Sequence, residues 1–118
     1  MSITRFESNN RMSQCVVHGD TVYLAGQVAQ NAKAGSITDQ TKDILQAIEK
    51  LLSLASSNKS NILSTTIWLT SMDDFAEMNA VWDAWVDTDN PPARAAVESA
   101  RLATSDFQVE IMVVAAKA

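Results

Sequence analysis

The run Phe107-Gln108-Val109-Glu110-Ile111-Met112-Val113-Val114-Ala115-Ala116 constrains this chain more than any other stretch. Read with the two-residue period of a strand, Phe107, Val109, Ile111 and Val113 point to one side. Gln108, Glu110, Met112, Val114 and Ala116 point to the other. A strand largely apolar on both sides expects burial on both sides. The fold therefore has to find two covers for one sheet.

The chain itself holds material for one. Ile44, Leu45, Ile48, Leu51, Leu52 and Ala55 fall at helical spacing and make a single apolar stripe. Thr38 is the expected N-cap of that helix, with Asp39 favouring the positive end of its dipole, and Ser56-Ser57-Asn58 breaks it. A second helix opens at Asp73-Asp74, repeats Phe75, Met78, Trp82 and Trp85, and is stopped by Asp89-Asn90-Pro91-Pro92. The other elements read as strands. Cys15 to Val17 and Val22 to Ala25 flank His18-Gly19-Asp20 and predict a hairpin. Ile62 to Thr70 alternates, with Leu63, Thr65, Ile67 and Leu69 on one side and Ser64, Thr66 and Trp68 on the other. Ala93 to Val97 precedes the final run. The order β-β-α-β-α-β-β predicts one α+β domain spanning residues 1–118, with both helices across one face of a mixed sheet. Its second face is left for another subunit, so a homo-oligomer is expected.

Charge narrows the partners. Nine Lys and Arg against fourteen Asp and Glu leave a formal charge of −5, with no basic run to offset it. That sign disfavours nucleic acid and anionic membrane surfaces. The opening MSITRFESNN lacks the apolar core of a secretory signal, and no stretch approaches the ~20 apolar residues of a spanning helix. Cys15, the lone cysteine, forms no intrachain disulfide; together these points predict a cytoplasmic protein. Dinucleotide, P-loop, C-x-x-C, H-E-x-x-H and G-x-S-x-G signatures are all missing, and one His with one Cys excludes a Cys/His zinc site within a single chain.

Two charges stand where charge is expensive. Glu110 lies mid-strand among Val109, Ile111, Met112 and Val114, and has to meet a cation, water or a subunit boundary. Arg94 follows a rigid Pro91-Pro92 and leads into a strand with no other charge until Glu98; its planar fork suits a carboxylate. On residue types alone the two are equally a structural ion pair at a subunit interface. His18 reads as a solvated turn residue and Cys15 as a small strand residue. Phe75, Met78, Trp82 and Trp85 read as core between helix and sheet, Asn79 as a polar neighbour of that stripe, and Asp73, Asp74, Glu98 and Arg101 as solvated charges.

Three blocks carry a resemblance: Val22-Tyr23-Leu24-Ala25-Gly26-Gln27, Asp74-Phe75-Ala76-Glu77-Met78-Asn79, and Pro92-Ala93-Arg94-Ala95-Ala96-Val97 leading to Val109-Glu110-Ile111. From about Met12 to Ala116 the sequence resembles the RidA/YjgF family of reactive-intermediate deaminases. The resemblance implies a chorismate-mutase-like α+β fold built as a homotrimer, with clefts between subunits. It further implies hydrolysis of 2-imino acids and their enamine tautomers to 2-keto acids and ammonia, without metal or organic cofactor. Position by position, Arg94 matches the arginine that grips the substrate carboxylate. Glu110 matches the glutamate that orients the attacking water together with a backbone carbonyl at Gly26. The N–H of Ala96 is expected near the carboxylate, and Asn79 matches an asparagine lining the cleft.

The chain also departs from the best-known members. Met12 stands where they commonly carry a tyrosine, Ala25 where they carry a serine and Ala96 where they carry a cysteine; Leu102-Ala103 replaces Leu-Pro, and the segment between Arg101 and Glu110 is one residue longer. A less polar pocket follows, suited to larger or more apolar imino acids. Two classes of function remain: an imine deaminase using Arg94 and Glu110, or a non-catalytic module that holds a small carboxylate in the same cleft. A binder needs the arginine but has no evident use for a water-aligning glutamate.

Overall fold

The computed structural model describes residues 2–118. Six strands form one sheet: β1 (Ile3–Ser8), β2 (Ser13–His18), β3 (Thr21–Leu24), β4 (Ile62–Leu69), β5 (Ala93–Glu98) and β6 (Val109–Ala116), in the spatial order β1-β2-β3-β6-β4-β5. All neighbours are antiparallel except β4 and β5, which run parallel as a connection through a helix requires. The predicted hairpin is β2 and β3, turning at Gly19, whose φ of 62° suits a residue without Cβ. The helices are α1 (Ile37–Leu54) and α2 (Phe75–Trp85).

Along β6 burial alternates strictly. Val109, Ile111, Val113 and Ala115 are sealed beneath the helices, and Glu110, Met112, Val114 and Ala116 stay half-exposed on the opposite face. Among the described residues nothing covers that opposite face: Tyr23 on β3 and Val97 on β5 remain 47% and 45% exposed. The buried side is closed by Ile44, Leu45, Ile48 and Leu52 of α1 with Met78, Val81 and Trp82 of α2. Cys15 is fully buried in this core, and burial, with Glu7 nearby, pushes its thiol pKa up. No helix among the described residues is long and apolar enough to cross a membrane.

Five local details differ from the sequence reading. α2 ends at Trp85, with Val86 already extended, ahead of the Asp89-Asn90-Pro91-Pro92 expected to stop it. β1 has no counterpart in the expected order, because it is an edge strand whose side chains are exposed except for the half-buried Phe6. The N-cap of α1 is Ser36, whose hydroxyl accepts from the Asp39 N–H at 3.0 Å; Thr38 lies inside the helix and donates its N–H and its hydroxyl to Glu77 of α2. Leu63 is 53% exposed and not with Thr65, Ile67 and Leu69, because the β4–β6 register shifts between Ile62 and Ser64. Glu98 is not merely solvated, since its carboxylate accepts the Met72 N–H at 2.9 Å where the chain turns into α2.

Gln40 ties the start of α1 to the segment before β6. Fully buried, it donates to the carbonyls of Gly35 and Asp106 at 3.0 and 3.1 Å and accepts the Gln108 N–H at 2.9 Å. This is a satisfied buried amide at the root of the strand that carries Glu110.

Candidate active site

Past Leu24 the chain keeps its hold on β2, the Ala25 N–H donating to the Gln14 carbonyl at 2.9 Å, and runs on beside β6. Gln27 and Ile111 exchange both backbone hydrogen bonds, at 2.8 and 3.0 Å, which lays Gly26 directly against Glu110. A Cβ at Gly26 would overlap Glu110 Oε2 and sit 3.0 Å from its carboxyl carbon. Only a glycine lets the carboxylate pack so close to this backbone. The side chain of Gln27 folds back, donating to Gln14 Oε1 at 2.9 Å and to the Ala25 carbonyl at 3.0 Å, and so fixes the loop.

Glu110 is half-exposed on the uncovered face, and among the described residues its carboxylate has neither a cation nor a hydrogen-bond donor as partner. Burial raises its pKa above the ordinary carboxylate value. A carboxylate left this way is a competent proton acceptor toward a water and, once protonated, a competent donor.

Arg94 is placed differently. It pairs across β5–β4 with the buried Thr65, which puts it on the helix side, whereas Glu110 pairs with Trp68 on the other side. Their backbones lie roughly 14 Å apart, separated by one strand and three residues along it. The guanidinium leans on α2: Nη1 donates to Asn79 Oδ1 at 2.7 Å, and Cζ lies over the rings of Phe75 and Trp82 at 5.8 and 5.5 Å from their centroids. Phe75, Asn79 and Trp82 recur at i, i+4 and i+7, one face of α2. No carboxylate neutralises Arg94 among the described residues.

The predicted site residues thus fall into two groups. Glu110, Gly26 and Ala25 belong to the crossing beside β6. Met12 lines with Gly26 and Gln14 a cleft of about 410 Å³ that Ala47, Lys50 and Leu51 of α1 also line and Glu110 does not. Arg94, Asn79 and Ala96 belong to the β5 edge, where Ala96 packs against the core beside Ile67. One chain does not bring the groups together. Within a chain Arg94 and Glu110 are no ion pair. Sequence reasoning assigned Phe75 and Trp82 to the core alone; the i, i+4, i+7 spacing with Asn79 was the available signal for their contact with Arg94. Among the described residues no three His, Cys, Asp or Glu side chains gather so as to hold a metal ion.

Residues 2–117 match the family model described as Endoribonuclease L-PSP. A RutC family protein of Haemophilus influenzae is 44% identical over 115 residues, covering 98% of each chain. The RutC family protein YoaB of Escherichia coli is 41% identical over 116 residues, covering 98% of this chain and 99% of its own. Among solved structures, NMB1025, a member of the YjgF family from Neisseria meningitidis, matches at 40% identity with a TM-score of 0.95, over 100% of this chain and 97% of that one.

Proposed function

Because the chain belongs to the Endoribonuclease L-PSP family, which takes in the RutC and YjgF (RidA) proteins, we propose that it is a hydrolase of 2-imino acids, working between copies of itself. The observation that carries this reading is the pair of unneutralised, complementary charges on opposite sides of one sheet. Arg94 with Asn79 of one copy faces Glu110 with Gly26 of the next, in a homotrimer that covers the apolar face left open by β6.

In this arrangement Asn79 occupies Nη1, so the rest of the guanidinium fork takes the substrate carboxylate. The imine carbon is already electrophilic, and orientation supplies much of the rate. Glu110 accepts a proton from water as the water oxygen bonds to C2. The protonated carboxyl then returns that proton to nitrogen. As the C–N bond breaks and its electron pair leaves with the nitrogen, Glu110 takes the C2 hydroxyl proton and hands it to the departing ammonia. The balance is iminium carboxylate plus water giving 2-keto carboxylate plus ammonium. Met12, Ala25 and Ala96 make the surroundings apolar and suit larger side chains.

Those same three residues favour the second reading, a small-carboxylate binding module. RNA cleavage, the activity in the family's name, is poorly served by a chain of net charge −5 without a basic or aromatic stripe. The test generates imines from a panel of amino acids with an amino-acid oxidase and catalase, and traps the residual imine with semicarbazide. Wild-type protein is expected to speed imine loss, and Arg94→Ala is expected to do nothing while keeping its assembly. Dissociation of the Arg94→Ala assembly would make Arg94 a structural ion-pair partner across the interface. No acceleration by wild type across the panel would leave the binding module.

A further inference from the structure

Arg94 stands on an edge strand whose side chains are mostly exposed, where an arginine would ordinarily sample many rotamers. It does not stand free. Its guanidinium rests against two aromatic rings while Asn79 holds one end. The three contacts come from one face of α2, itself anchored by the fully buried Met78 and by Trp82, which is 5% exposed. We propose that Phe75 and Trp82 are positioning residues, whose ring faces hold the Arg94 guanidinium with its free fork turned toward a substrate carboxylate. This deepens the imine-hydrolase reading and rests on it.

The physical reason is pre-organisation. A cation over a ring face is attracted by the ring's quadrupole, more strongly once water is excluded, as a second copy would exclude it here. A guanidinium fixed in advance loses less freedom when the carboxylate binds. The benefit therefore falls on carboxylate affinity. It does not fall on the attack of water, which belongs to Glu110 on the other face.

The test uses the full chain and two readouts: the Kd of 2-oxobutanoate by calorimetry, and KM and kcat for the imine of 2-aminobutyrate. Phe75→Leu removes the ring, Phe75→Met removes it with an unbranched side chain, and Phe75→Tyr keeps it. Thermal melts report folding, which Phe75, only half-buried, should survive. Phe75→Leu and Phe75→Met should raise Kd and KM about five-fold with kcat within two-fold, and Phe75→Tyr should match wild type. Unchanged Kd in both ringless variants, equal damage in Phe75→Tyr, or a loss confined to kcat would each overturn the positioning role. Arg94→Ala is the separating control. If it binds 2-oxobutanoate as wild type does, the site reading itself has failed and the positioning role goes with it. If it loses binding while the Phe75 variants do not, only the positioning role falls.

Discussion

Gly26→Ala puts the proposed site under its most direct test. The added methyl would meet Glu110 first at Oε2 and then at the carboxyl carbon, 3.0 Å away. Ordinary carbon contacts settle at about 3.5–4.0 Å, so the carboxylate has to recede by roughly 1 Å. What yields is the far end of a flexible side chain, and an altered χ angle costs about 0.5–1.5 kcal/mol. Against that, the φ of Gly26 is not in the left-handed region, so alanine fits the backbone and gains about 0.4–1 kcal/mol by restricting the unfolded chain. The two effects nearly cancel, and stability should change by less than about 1 kcal/mol. Catalysis has no such compensation. Displacing a water-handling group by about 1 Å is worth roughly a hundred-fold in rate. The assay is kcat by imine trapping, alongside urea unfolding of the same preparation. A near-normal kcat would mean that Glu110 does not work from its seat against Gly26. A stability loss of several kcal/mol would mean that the glycine serves the fold instead.

Glu110→Gln probes the same carboxylate through pH. Burial raises its pKa in the folded chain, so stability is lost as pH climbs from the ordinary carboxylate value of about 4.3 through the folded one. The glutamine variant should therefore melt higher than wild type at pH 7, with the difference closing below about pH 4, while kcat falls about a hundred-fold. A stability difference that ignores pH would remove burial as the cause. Gln40→Met strands the Gln108 N–H and two carbonyls; it should cost about 3 kcal/mol in urea unfolding, and a cost under about 1 kcal/mol would mean that water replaces the amide.

Much of the fold was legible because its signals are local. The α1 stripe and the alternation of β6 each depend on a dozen residues or fewer, and each has its structural counterpart. The di-proline, by contrast, does not end α2, which stops at Trp85 with Val86 already extended. β1 was not legible, since a strand paired on one side only and barely buried has no reason to alternate. Leu63 was misassigned because a register shift leaves no mark in the periodicity of its own strand. The site was half legible. Arg94 and Glu110 stood out as charges in apolar runs. That they lie on opposite faces depends on the pairing of both with β4, a relation between segments that no single segment encodes. The contact of Arg94 with Phe75 and Trp82 was hidden for the opposite reason: aromatic residues at helical spacing explain themselves as core and invite no second question.

The burial of Cys15 has a practical consequence. With its one cysteine buried, the chain presents no thiolate to electrophiles passing its surface, and a thiol reagent must wait for the core to open. Cys15 sits on β2, between the edge strand β1 and the hairpin partner β3. The speed at which a small thiol reagent labels it, set against the speed for the unfolded chain, then measures how often that side of the sheet comes apart. A clock for local opening is thus already built into the sequence.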